Sequence, residues 1–180
     1  MATPMMPTAI RLIPGQLVPA LEVEILSGTR WNLFEQTPRA FTMIVFYRGL
    51  HCPLCIEYLQ ELERKLEQFN AIGIECIVIS GDTYERAIES KENWGLQKLQ
   101  IGYGLTREAM QQWGLYISKG KLAEEPPLFN EPGLFLVKPN GILFFAGVNN
   151  APYGRPALDT LLSGLDYVLN HDYPLRGTEV

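Results

Sequence analysis

The stretch Phe46-Tyr47-Arg48-Gly49-Leu50-His51-Cys52-Pro53-Leu54-Cys55 organises this chain. An apolar run, Phe41 to Tyr47, leads into it, and an amphipathic pattern, Ile56 to Phe69, leads out. Two cysteines three positions apart therefore sit where a buried strand hands over to a helix. The first turn of a helix presents unpaired backbone N–H groups and the positive end of the dipole. A thiol placed there has its anion stabilised and becomes a nucleophile near neutral pH. The stretch thus points to thiol redox chemistry.

Outward from it, the pattern is that of an α/β domain. Leu21-Glu22-Val23-Glu24-Ile25-Leu26 alternates apolar and polar residues, as a half-buried strand does. Ser27-Gly28 is a turn signal, and Thr29 to Leu33 is the expected hairpin partner. Cys55, Leu59, Leu62, Leu66 and Phe69 mark one helical face, and Gly73 stops that helix. Ile74 to Ile79 is a second apolar strand, which completes a right-handed parallel βαβ unit. Asp82-x-x-Glu85 reads as a capping box for a helix to about Asn93. Leu99 to Gly102 is a short strand or turn, and Thr106 to Trp113 a short helix ended by Gly114. Residues 118–131 read as a long loop with Pro126-Pro127, a length usually reserved for function or an interface. Leu134 to Val137 and Ile142 to Ala146, joined through Asn140-Gly141, form a hairpin. Pro156 opens a last helix, with Leu158, Leu161, Leu162, Leu165, Val168 and Leu169 on one face. The expected architecture is one α/β domain, residues 21–180, preceded by a Pro-rich arm, residues 1–20. Its mixed central sheet carries helices on both faces and an N-terminal β-hairpin extension.

Composition narrows the function classes. The 180 residues suffice for one sizeable core, and a net charge of −5 with no basic cluster argues against nucleic acid and anionic membranes as partners. No apolar run approaches the roughly 20 residues that span a bilayer. The N-terminus has no charged segment followed by an apolar one, so a soluble cytoplasmic protein is the expectation. In that reducing compartment a Cys-x-x-Cys is more often catalytic or metal-binding than structural.

The motif, extended to Val45, resembles the Phe-Tyr-Arg-Gly-x-x-Cys-Pro-x-Cys signature of peroxiredoxin-like proteins in the AhpC/TSA group of the thioredoxin superfamily. Ile79-Ser80-Gly81-Asp82 and Pro132 to Val137, followed by Pro139-Asn140-Gly141, are similar to further segments of that group, and the resemblance covers roughly residues 20–170. It implies a thioredoxin-like fold and a thiol-dependent reduction of hydrogen peroxide or alkyl hydroperoxides. It also implies that Pro132 is a cis proline packed beside the thiols, whereas the local sequence alone predicts a trans bond and an ordinary proline at the start of a strand. The implied partners are a peroxide or disulfide substrate and an external thiol reductant of the thioredoxin or glutathione type, with no cofactor and no resident metal. Two departures stand out. Cys52 occupies the position, three residues before Cys55, where most peroxiredoxins carry Thr or Ser, if Cys55 is equated with their peroxidatic residue. His51 stands where many relatives have Trp.

Cys52 and Cys55 are the candidate catalytic residues. Cys52, at the cap, is expected to be the more exposed thiol and the attacker, with Cys55 resolving; spacing alone leaves the opposite assignment open. His51 is a candidate to lower the Cys52 pKa as a cation or to accept its proton as a base. Arg48 is a candidate to stabilise a thiolate or the developing charge of a peroxide, or else simply to pair with a surface carboxylate. Pro132 completes the supporting set. Arg155 lies before the last helix, near a position where many relatives of the resembled group carry an Arg, and reads as a surface residue rather than a catalytic one. Two other readings stay open: a thiol–disulfide oxidoreductase acting on protein disulfides, and a non-catalytic metal-binding or interaction module. Metal would draw on Cys52, Cys55, His51, Cys76 and His171, without the second ligand pair that a structural zinc site normally shows. The 118–131 loop, with Leu128 and Phe129 beside its prolines, is a candidate to line a homodimer interface or to cover the active site.

Overall fold

The computed structural model describes residues 10–180, so the first half of the expected arm lies outside the described residues. Six consecutive buried residues, Phe41–Phe46, form the central strand β3. It must be central, because a strand without a polar face needs protein on both sides. Its alternation feeds two cores. Met43, Val45 and Tyr47 face one side, while Ile44 and Phe46 face the other.

The first core is built on α1 (Pro53–Ala71), whose buried residues are Cys55, Leu59, Leu62, Leu66 and Phe69, the face that helical spacing predicts. Ala87 and Trp94 of α2 (Tyr84–Trp94) and Leu158 and Leu165 of α4 (Leu158–Asn170) join it. The second core holds Met110 of α3 (Arg107–Gln112), with Trp113, Phe135 and residues from the chain's beginning such as Val18 and Leu21.

The sheet between them has seven strands, in the order β2-β1-β5-β4-β3-β8-β9. These are β1 (Glu22–Ile25), β2 (Arg30–Asn32), β4 (Ile74–Ile79), β5 (Gln100–Tyr103), β8 (Gly133–Val137) and β9 (Leu143–Val148) around β3. The strands β3, β4 and β5 run parallel; β8 pairs antiparallel with β3, and β9 with β8. The sheet is mixed with helices on both faces, and the β1–β2 hairpin extends it by pairing β1 with β5. Among the described residues, no helix is long and apolar enough to cross a membrane.

Local departures from the sequence pattern have local causes. The helix expected from Asp82 starts one residue later: Thr83 caps α2 by accepting from the Arg86 N–H. Asp82 is diverted to the motif loop, where its carboxylate accepts from the Leu50 N–H at 2.8 Å. Residues 118–131 are not all loop. Strands β6 (Ile117–Lys119) and β7 (Leu128–Asn130) pair as a separate hairpin beside the motif. Pro156 lies two residues ahead of α4, and Leu169, expected on its buried face, is 39% exposed. The chain between Gly15 and Val18 runs along β9, through hydrogen bonds between Gly15 N–H and the Leu143 carbonyl and between Val18 N–H and the Gly141 carbonyl.

The two leucine positions give a direct check on this packing. Leu59→Ala, in the fully buried α1 face, is expected to cost about 2–5 kcal/mol in urea denaturation, while Leu169→Ala stays within about 0.5 kcal/mol.

Candidate active site

The motif loop leaves the C-terminal end of β3 and enters α1 at Cys52, the N-cap, with Pro53 in the first turn. Pro53 suits that position because its missing N–H would have no helical partner there. Gly49 makes the turn at φ +124°, and a Cβ on it would lie 2.7 Å from the Asp82 carboxylate. Only glycine fits a left-handed backbone pressed against another group. Asp82 also accepts from Arg86 Nε at 2.9 Å, so one carboxylate ties the loop to α2.

The sulfurs of Cys52 and Cys55 stand at disulfide distance, with Cα atoms 5.3 Å apart, a separation ordinary for a bridged pair. Both residues are fully buried. The expectation that Cys52 is the exposed thiol is therefore corrected: packing against the first core covers the helix cap that would otherwise meet solvent.

Arg155 is a second correction. It does not point into solvent: its Nη2–H donates to Cys55 Sγ at 2.9 Å, and Nη1–H to the Pro152 carbonyl at 2.9 Å. Its guanidinium lies 5.1 Å from the centroid of the Tyr58 ring, and the Tyr58 hydroxyl donates to the Pro156 carbonyl at 2.8 Å. Burial pulls the Arg155 pKa down to about 10, which leaves it cationic at neutral pH. The positive charge next to Cys55 thus comes from a residue 100 positions away.

Arg48 is engaged elsewhere. Its Nε lies 3.1 Å from Glu131 Oε2 and its Nη2 3.7 Å from Glu125 Oε1. Its guanidinium sits 4.8 Å from the centroid of the Phe129 ring. Ser118 donates to the other Glu131 oxygen at 2.6 Å, and Asn130 Nδ2 donates to the Tyr47 carbonyl at 3.1 Å. The β6–β7 hairpin thereby grips the motif loop. His51 packs edge-on to Phe129, ring centroids 4.6 Å apart. Burial, helped by the nearby Arg48 charge, pulls its pKa below the ordinary 6.5, so the ring is neutral at pH 7.

The peptide bond before Pro132 is trans, since no cis bond occurs among the described residues; this corrects the cis geometry that the resemblance implies. Pro132 sits just ahead of β8, and its carbonyl accepts from the Asn149 N–H at 3.0 Å. The soft metal ligands are not brought together. No group of three or more His, Cys, Asp or Glu able to hold an ion occurs among the described residues. Cys76 is a thiol on β4 that burial pushes up to about 12, and His171 stacks on Tyr167 at the end of α4.

The AhpC/TSA family pattern matches residues 14–146. The chain belongs to the AhpC/TSA family. It is 24% identical over 139 residues to the human mitochondrial thioredoxin-dependent peroxide reductase, a match covering 73% of this chain and 52% of that one. The bovine protein of the same name is 24% identical over 127 residues, covering 67% and 47%. The chain thus spans about half the length of these curated relatives. A reduced 2-Cys peroxiredoxin from Plasmodium vivax superposes with a TM-score of 0.73 at 18% identity, over 90% of this chain and 84% of that one. A peroxidoxin from Mycobacterium tuberculosis does so at 0.68 and 15% identity, over 88% and 99%. The fold is the thioredoxin-like fold of the peroxiredoxins.

The sequence pattern singled out the two cysteines, Arg48, His51 and Pro132; the structure brings the two sulfurs together, pairs Arg48 with Glu131 and Glu125, and sets Pro132 just ahead of β8. The pattern missed Arg155, Tyr58, Glu131 and Asp82. Arg155 sits in a Pro-Gly-rich segment with no periodicity to aim it. Glu131, flanked by Asn130 and Pro132 at the edge of a strand, carried a signal in its own right: a carboxylate between apolar runs needs a cation.

The His51 environment makes a pH prediction. Its folded pKa lies below its unfolded one, so just below pH 6.5 the unfolded chain binds more protons than the folded chain. Stability is full above that window and declines as pH falls through it. Urea midpoints measured from pH 7.5 to pH 5 should fall, and His51→Gln should make the fall shallower; an unaltered slope would show the ring to be solvated.

Proposed function

We propose that this chain is a thiol peroxidase that reduces hydrogen peroxide or organic hydroperoxides, with Cys55 as the attacking thiol and Cys52 as the resolving one. The observation that carries the assignment is the Arg155 guanidinium on Cys55 Sγ at 2.9 Å. A fixed cation beside a sulfur in a buried site favours the thiolate over the thiol, and the α1 N-terminus adds to it. This reverses the order that helix position alone suggests.

The Cys55 thiolate attacks the distal peroxide oxygen and the O–O bond breaks. Cys55 becomes a sulfenic acid, and the alkoxide or hydroxide leaves and is protonated. The Cys52 thiol then attacks that sulfur, the S–O bond breaks, water departs and the Cys52–Cys55 disulfide forms. An external dithiol returns both cysteines to thiols by exchange through a mixed disulfide. A thioredoxin-type reductant is supported by the name of the curated relatives, and a reducing cytoplasmic setting would supply one.

The purified protein should consume hydrogen peroxide catalytically only with a dithiol present. Cys55→Ser should abolish consumption, and Cys52→Ser should retain one rapid equivalent per chain. Arg155→Gln should lower kcat/KM about 10²- to 10³-fold, the usual loss for a fixed donor to a reacting charge. Untouched peroxide together with reduction of insulin disulfides would establish the disulfide oxidoreductase instead.

A further inference from the structure

A surface groove of about 220 Å³ opens where Arg155 reaches the outside. Its walls are Leu54 and Tyr58 of α1 on one side and Pro152, Tyr153 and Pro156 on the other. Leu54 is 41% exposed and Tyr153 83% exposed, large apolar groups left open beside the fully buried Cys55. Glu57 and Glu61 also line it, with Ala157 and Arg155. Spaced four apart on α1, the two glutamates stand on the same helix face.

From this we infer that the groove is the route by which an organic hydroperoxide reaches Cys55, and that Glu57 and Glu61 make it select neutral hydroperoxides over those carrying a carboxylate. The inference rests on the peroxidase reading above and adds the substrate's charge. The peroxide end must lie against the Arg155–Cys55 pair, so the organic body lies between Tyr153 and Leu54 and its far end faces the two carboxylates. Lys65 offsets this charge only in part: it is 3.8 Å from Glu61 but is shared with Asp159. Those four side chains leave two net negative charges near the groove. The inner cation does not rescue an anionic substrate. Nη1 and Nη2 of Arg155 already donate to the Pro152 carbonyl and to Cys55 Sγ, and its unpartnered Nε is buried, out of reach of a carboxylate at the far end of the substrate.

The test compares two substrates of nearly equal shape, cumene hydroperoxide and its para-carboxylate, in the full chain with dithiol turnover. The neutral compound should have the higher kcat/KM by about tenfold at low ionic strength, and the preference should shrink in high salt. The double variant Glu57→Gln/Glu61→Gln should bring the two rates within about twofold of each other, whereas Glu24→Gln on the far β1 strand keeps the preference. Equal rates in the native protein, or a preference that survives the double variant, would overturn the inference while leaving the peroxidase intact. Failure to consume hydrogen peroxide as well as both organic compounds would overturn the underlying reading, and this one with it.

Discussion

A strand buried on both faces has to deliver its last residues into a turn with no room for a side chain. At Gly49 the backbone is left-handed and the Asp82 carboxylate occupies the place of a Cβ. That close approach lets Asp82 hold the Leu50 N–H and the Arg86 side chain together. The start of α1 is thereby fixed against α2, and with it both cysteines. The remaining packing follows from that placement: the α1 face seats Cys55 in the same core as Leu59 and Leu62, and the loop side meets the β6–β7 hairpin.

Two arginines flank the thiol pair, and their partners differ. Arg48 is neutralised by Glu131 and Glu125 and holds structure. Arg155 forms no ion pair with a carboxylate among the described residues; its two Nη groups donate to a carbonyl and a sulfur, and its Nε is buried without a partner. A cation already paired with carboxylates has little left to offer a thiolate. A buried cation paired with a sulfur loses its compensation when that sulfur is protonated, so it favours the anion. On the proposed mechanism, that asymmetry gives the attacking role to Cys55 rather than Cys52.

The central strand, the parallel βαβ unit, the β8–β9 hairpin and the buried face of α1 were all legible in the sequence, because burial imposes periods of two or 3.6 on the residues that satisfy it. What escaped was set by contacts distant in sequence. Arg155 lies in a segment that repeats nothing, and its target is 100 residues back. Cys52 reads as exposed from its cap position, yet tertiary packing closes over it. Asp82 reads as a cap because its spacing to Glu85 fits one, but the motif loop competes for the same carboxylate and Thr83 takes the cap. The β6–β7 strands are three residues each, too short to show alternation between prolines and glycines.

The order of attack is the core of this account, and trapping of the sulfenic acid tests it most directly. Reduced Cys52→Ser and Cys55→Ser proteins, each given less than one equivalent of hydrogen peroxide in the presence of dimedone, are digested and analysed by mass spectrometry. The account predicts rapid labelling of Cys55 in the first protein and no comparable labelling of Cys52 in the second. Rapid labelling of Cys52 with an inert Cys55 would contradict it.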